Sequence, residues 1–212
     1  MLHHVAGMPQ KQNKEALAGE NLRNVPQDAG LPPTAETSAD DWVKKALALG
    51  FACAAPLDIA TLQPRQDVRD MCAADKCGAY GKNWTCPPHC GTLEDCTARI
   101  QSYRRGILLQ TVGQMEKAID TKAYRRAEEK HLALFHRFAQ QLRTQHPEAL
   151  CLGAGGCRIC PECAYPEPCR FPEKACSSME GYGLFVTQVC RDNGCQYYHG
   201  EKTVTYTACV LF

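Results

Sequence analysis

Cys157-Arg-Ile-Cys160-Pro-Glu-Cys163, followed after five residues by Cys169, places three thiols within seven residues and a fourth close behind. Thiolate sulfur is a soft donor suited to iron–sulfur clusters and to zinc. A short loop with a cysteine at every third position can wrap three irons of a cubane before a fourth cysteine arrives from downstream. Structural zinc sites more often pair two CxxC knuckles across a longer spacer. The pattern therefore favours a 4Fe-4S cluster on Cys157, Cys160, Cys163 and Cys169, with zinc as the alternative and a metal-free arrangement as the third reading. The likeness to a ferredoxin is one of spacing: the last spacer has five residues rather than three, and Arg170 rather than proline follows the last cysteine. Arg158 and Arg170 each adjoin a candidate ligand, so they are expected to attract an anionic cluster and to favour its reduced form.

A second group runs Cys72, four residues, Cys77, eight residues, then Cys86-Pro-Pro-His89-Cys90. The stretch between these thiols carries Asp75, Lys76, Lys82 and Asn83 and has no helical or strand period that would bury a face. Ligation accounts for the thiols more simply than packing does, and basic neighbours favour the metal-binding thiolate. A second metal centre is thus expected on Cys72, Cys77 and Cys86, with Cys90 as the candidate fourth ligand. If Cys90 does not bind, an iron of a cluster there is open to a small ligand, and an enzyme becomes the reading. His89 is expected to be a polar loop residue, and Pro87 and Pro88 to hold the chain extended after Cys86.

Composition limits the setting. The 212 residues include 15 cysteines, an odd number that leaves one thiol over in any full disulfide framework. Residues 1–10 lack the charged and apolar regions of a signal peptide, and the longest nearly apolar run, residues 46–57, contains Gly50 and Pro56 and is too short to span a bilayer. A soluble protein of the reducing cytoplasm is expected. With 24 basic against 23 acidic residues there is no broad field to draw nucleic acid or an anionic membrane, so neither is expected as a partner.

The elements that must position the thiols follow from pattern. Residues 1–37 contain no aromatic residue and read as a disordered N-terminal arm. Residues 38–212 read as a single mixed α+β domain whose cysteine-rich loops emerge from the ends of strands and helices. Ser38 and Asp41 cap a helix bearing Trp42, Ala46 and Leu49, ended by Gly50. Residues 51–59 form a strand interrupted by Pro56. Thr92 and Asp95 start a second helix that buries Cys96 and Ile100, and residues 106–112 form a buried strand. A long helix over residues 116–144 carries Tyr124, Ala127, Leu134, Phe135, Phe138 and Leu142 on one stripe, with His131 and His136 as packing or surface residues. Residues 149–152 form a strand, and Gly153, Gly155 and Gly156 then let backbone N–H groups approach cluster sulfurs. Ser177 to Glu180 is read as a capping box for a helix reaching Gly194. Residues 196–199 and 203–212 are read as a hairpin whose alternation turns Cys209 towards a neighbour or solvent.

Asp67-Val-Arg-Asp-Met-Cys72, Tyr80-Gly-Lys-Asn-Trp-Thr-Cys86-Pro-Pro, Cys157-Arg-Ile-Cys160-Pro-Glu-Cys163, Pro168-Cys-Arg-Phe-Pro172 and Ser178-Met-Glu-Gly-Tyr-Gly183 form an ordered set. Over roughly residues 50–212 the chain resembles the predicted metal-binding family called domain of unknown function 2284, and members from anaerobic bacteria in particular. The resemblance implies metal binding at Cys72, Cys77, Cys86, Cys157, Cys160, Cys163 and Cys169, in a low-potential setting. Three function classes follow: an iron–sulfur electron-transfer or redox accessory protein with a redox partner protein, a structural zinc protein or metal carrier, and an enzyme using an open iron.

Overall fold

A computed structural model describes residues 37–117 and 119–212. The arm read from residues 1–37 lies, apart from Thr37, outside the described residues. Helix α1 (Ala39–Leu49) starts where Ser38 accepts a hydrogen bond from the Asp41 N–H at 3.1 Å and stops at Gly50, whose φ of 110° needs no Cβ. Strand β1 (Cys53–Pro56) follows, then helix α2 (Gln66–Ala73), an element the sequence analysis did not foresee. Its eight residues span barely two turns and bury Val68 alone, too little periodicity to register. Helix α3 (Leu93–Gln101) carries the expected capping box between Thr92 and Asp95 and buries Cys96 and Ile100. Strand β2 (Gly106–Gln114) leads into helix α4 (Thr121–Arg143), capped by Asp120 rather than starting near residue 116. The buried stripe of α4 is Ala123, Ala127, His131, Phe135, Phe138, Ala139 and Leu142, whereas Tyr124 is exposed.

Strands β3 (Leu150–Gly153), β4 (Ser177–Ser178) and β5 (Thr203–Leu211) complete a five-stranded sheet in the order β1-β2-β5-β3-β4. β5 lies antiparallel to both β2 and β3, with Leu108 opposite Cys209 and Cys151 opposite Val210, and β3 runs parallel to β4. One face packs Leu108, Cys209 and Leu211 against Ile100, Met179, Leu184 and Val189. The other packs Ile107, Leu109 and Val210 against Trp42, Phe135 and Phe138 from α1 and α4. This is an α+β fold, and no helix among the described residues is long and apolar enough to cross a membrane.

Three expectations need correction. Ser177 and Ser178 pair with β3, the segment Glu180–Tyr182 makes a single 3-10 turn, and helix α5 covers Val186–Asp192 only. Ser178 Oγ accepts from the Gly181 N–H at 2.8 Å, and Gly183 turns the chain at a φ of 77°, where a Cβ would lie 2.7 Å from Leu93 Cδ1. The bond found lies one residue beyond the expected Ser177–Glu180 pair, and it closes a turn rather than starting a helix. Residues 196–199 form no strand, because β5 is already paired on both edges. Cys209 is fully buried, since strict alternation marks an outer face only where one side of a sheet meets water.

Burial of Cys209 on both sides predicts that Cys209→Ser lowers the unfolding free energy by about 1–3 kcal/mol, the cost of a hydroxyl without a good partner. An unchanged urea midpoint would contradict its placement. His131 gives a second expectation. Its ring is buried with Nδ1 3.0 Å from Thr111 Oγ1, and burial lowers its pKa from 6.5 to about 4. The folded state therefore holds the ring neutral, so this contribution to stability is complete above about pH 6.5 and is lost as pH falls through about 4. Acid unfolding followed by far-ultraviolet circular dichroism should be measurably less steep across that window in His131→Gln.

Candidate metal centre

The first cysteine segment leaves α2, which carries Cys72 and, one turn earlier, Arg69. Beyond it Asp75, at a φ of 47°, accepts from the Tyr80 N–H at 2.9 Å and from Lys82 Nζ at 3.1 Å. Two hydrogen bonds to one carboxylate fold an otherwise irregular stretch and spend the Lys82 charge on Asp75. Asn83 Oδ1 then accepts from both the N–H and the hydroxyl of Thr85, at 2.9 and 2.8 Å, which orients Cys86 inward. The Pro87–Pro88 peptide is cis where an extended segment was expected, and the Cys90 N–H returns to the Cys86 carbonyl at 3.1 Å.

The second segment begins where β3 ends. Gly155 takes a φ of 78°, and Gly156 lets the chain pass so close to Cys86 that an added Cβ would sit 3.3 Å from Cys86 Sγ. The two segments are clasped here. Thr85 Oγ1 accepts from the Cys157 N–H at 3.4 Å, and Trp84 Nε1 donates to the Glu167 carbonyl at 2.8 Å. Tyr165 packs edge-on against Trp84 at 5.0 Å and tilts over His89 at 4.3 Å, so His89 is a packed loop residue.

Cys157, Cys160, Cys163 and Cys169 surround a small cavity of about 30 Å³ walled by Trp84 and Phe171. Cys157, Cys160 and Cys163 also face an open cleft of about 420 Å³ whose opposite wall is Gly78, Lys82 and Asn83 of the first segment. Tertiary structure thus joins two groups that are over 60 residues apart in sequence into one thiol-lined region. Burial raises the Cys86 thiol to about 11, reinforced by Cys77, Cys72 and Cys157. Burial also raises Cys157, opposed by hydrogen bonds from the backbone N–H groups of Ile159 and Cys176. A cation or a cationic cluster core answers both effects, because it supplies the charge that lets crowded thiols ionise. Among the described residues no three Cys, His, Asp or Glu side chains converge as a ready single-ion site. The chemistry of the donor set nevertheless fits a thiolate-bound metal group, four sulfurs on one short loop with backbone donors aimed at one of them.

The arginines are engaged locally. Arg158 pairs with Glu128 of α4 at 2.8 Å, and Arg170 donates to the Glu162 carbonyl at 3.0 Å within its own loop. Cys77 is exposed at the rim, while Cys90 lies apart from the cleft beside Cys96 and Arg69. Sequence reasoning missed several residues that shape the region. Cys72 Sγ lies 3.7 Å from the Glu180 carbonyl, and the carboxyl of Glu180, raised by burial, keeps one oxygen without a partner among the described residues. Cys176 sits 3.7 Å from Arg143, and its thiol is held below its ordinary range first by the neighbouring Cys151 and then by the Arg143 charge. Arg69 and Glu180 lie inside the ordered motifs and Cys176 in none, but the role of each comes from a contact between distant segments that spacing does not show.

A family model described as predicted metal-binding protein (DUF2284) matches residues 55–212. No curated protein and no solved structure matches the chain.

If the clasp at Trp84 holds the thiol-bearing loop shut, Trp84→Ala should loosen that loop without unfolding the sheet. The lost hydrogen bond and aromatic edge contact amount to about 1–2 kcal/mol. Limited trypsin digestion should then cut after Arg158 or Arg170 severalfold faster, at an almost unchanged global unfolding midpoint. Equal cutting rates in the two proteins would count against the clasp.

Proposed function

The chain belongs to the predicted metal-binding family of domain of unknown function 2284, and from that premise we propose that it is an iron–sulfur protein of electron transfer or redox support. The observation that carries the reading is the meeting of two cysteine segments, with Cys157, Cys160 and Cys163 on one wall of a shared cleft and Cys86 packed against Gly156. In this reading Cys157, Cys160, Cys163 and Cys169 hold a 4Fe-4S cluster, and Cys72, Cys77 and Cys86 contribute to a second centre. A bound cluster supplies reversible one-electron transfer.

The protein's own groups set the conditions for that transfer. Trp84 and Phe171 screen the inner side of the Cys157 loop from water, which raises the cost of placing charge there. The Ile159 and Cys176 N–H groups stabilise negative charge on the Cys157 sulfur, and Arg170, held within the loop by the Glu162 carbonyl, adds a positive charge at its edge. Both favour the reduced state. The outer cleft leaves the thiol-bearing loop approachable from one side, which suits a redox partner protein in the reducing cytoplasm. A structural zinc site is the competing reading, because the same thiolates suit zinc.

Metal analysis of anaerobically reconstituted protein tests the proposal. Broad visible absorption bleached by dithionite, with about eight irons per chain for two cubanes or about four for one on the Cys157 loop, is the expected result. Colourless protein that retains zinc would replace it with the structural reading. Cys160→Ser should lose iron and protease resistance together, since metal binding contributes on the order of 10 kcal/mol to the order of a loop-rich site. Unchanged iron per chain in that variant would sink the assignment.

A further inference from the structure

Cys90 and Cys96 lie away from the shared cleft, on either side of the turn that starts α3. Both Sγ atoms are 3.7 Å from the same nitrogen, Arg69 Nη1, with the Cys90 thiol donating to the Gly181 carbonyl at 3.4 Å and the Cys96 thiol to the Cys90 carbonyl at 3.8 Å. Their meeting is built by the turn between them. Gly91 takes a φ of 106°, where a Cβ would lie 3.2 Å from Asp95 Cβ, and the Thr92–Asp95 capping box fixes the next turn, so that Cys96 points back under Cys90.

Arg69 is as informative as the sulfurs. Its Nη1 and Nη2 donate to the carbonyls of Gly181 and Gly91, each at 2.8 Å, and no carboxylate among the described residues forms an ion pair with it. A part-buried guanidinium stays charged. Neutral carbonyls orient it without cancelling that charge; the thiols it touches are Cys90 and Cys96, and its field also reaches Cys72. A cation in contact with a thiol favours thiolate, the form that attacks disulfides; at Cys90 this pull works against the raising effects of Cys96 and of burial, and at Cys96 it adds to the lowering effect of Cys90. The two sulfurs also differ in access, since Cys96 is 1% exposed whereas Cys90 is half-buried and can be reached.

We propose that Cys90 and Cys96 form a redox-active dithiol that exchanges with small disulfides of the glutathione class. The Cys90 thiolate attacks one sulfur of the external disulfide, forming a mixed disulfide and releasing one thiolate. Cys96 then gives up its proton and attacks the Cys90 sulfur, forming the Cys90–Cys96 disulfide and releasing the second thiolate. The pair loses two electrons, the external disulfide gains two, and two small thiols leave. Arg69 is a positioning residue that lies one helical turn from Cys72, so oxidation removes negative charge from the guanidinium beside the candidate metal centre. Neither sulfur belongs to the Cys157 loop, so the inference does not depend on a cluster there, but it requires that Cys90 is not a ligand of the second centre.

The test uses the full chain, purified anaerobically with its metal in place, and equilibrated with graded mixtures of glutathione and glutathione disulfide. After an acid quench, free thiols are alkylated in denaturant and the peptides are mapped by mass spectrometry. The expected result is a linked Cys90–Cys96 peptide that rises with the oxidised fraction and disappears on reduction. Cys96→Ser should instead accumulate glutathione on Cys90. Arg69→Gln should slow formation of the link at least severalfold, with part of the rate restored in Arg69→Lys. Full alkylation of both residues across the series would overturn the proposal, as would linkage of either one to a different cysteine. Loss of iron in Cys90→Ser matching that in Cys72→Ser would also overturn it, by making Cys90 a ligand.

Discussion

Pairing of β5 on both edges is the constraint from which the rest of the structure follows. It hydrogen-bonds to β2 along its whole length and to β3 from Cys209 to Leu211, with residues 207–211 buried on both faces. That pairing fixes the end of β3, and β4 then lies parallel against it, with Gly153 opposite Ser178. Everything from Ala154 to Cys176 is thereby a loop anchored at Gly153 and Ser177 on neighbouring strands, whose spacing is about 4.8 Å. The cysteine-bearing loop contains no helix or strand of its own. Its ends are ordered by the sheet, while its interior depends on side-chain clasps and on whatever its sulfurs bind.

The same geometry explains why so many thiols carry strained proton equilibria. Packing thiols together in a partly dry region penalises the thiolate twice, once through lost hydration and once through repulsion from neighbours. Cys86 bears both effects. The protein relieves them in two distinct ways. At two pairs, Cys90 with Cys96 and Cys151 with Cys176, an arginine from a neighbouring helix lies 3.7 Å from a sulfur, and one thiol of each pair is lowered while its partner is raised. In the Cys157 loop no arginine is directed at a sulfur in this way, since Arg158 turns to Glu128 and Arg170 to the Glu162 carbonyl. There, in the proposed reading, a bound metal group supplies the positive charge.

Remaining cysteines serve packing. Cys209 is enclosed in the sheet, Cys190 accepts from Gln110 Nε2 at 3.4 Å beneath α5, and Cys53 meets Cys195 with sulfurs 3.7 Å apart. The high cysteine content therefore does not reflect one function, and a count alone overstates the number of ligands.

The sequence by itself determined what local rules can carry. Ser38, Gly50, Thr92 and Asp95 act at helix ends because their hydrogen bonds and backbone angles are set within four residues, and the period of α4 and the spacing of Cys157 to Cys163 are equally local. The α+β class was legible for the same reason. Tertiary structure decided what depends on the partner of a segment. Whether β5 sits at an edge or in the middle of the sheet reverses the reading of Cys209, and the place beside β3 turns Ser177 and Ser178 from a helix cap into a strand. Spacing grouped Cys90 with Cys86, whose carbonyl the Cys90 N–H does reach, while Arg69 and the turn at Gly91 bring it beside Cys96 as well. Spacing separated Cys86 from Cys157, yet Gly156 and Thr85 bring them together. Sequence distance measures the entropy of closing a loop, while neighbourhood in the folded chain is fixed by the apolar area the sheet buries on both faces.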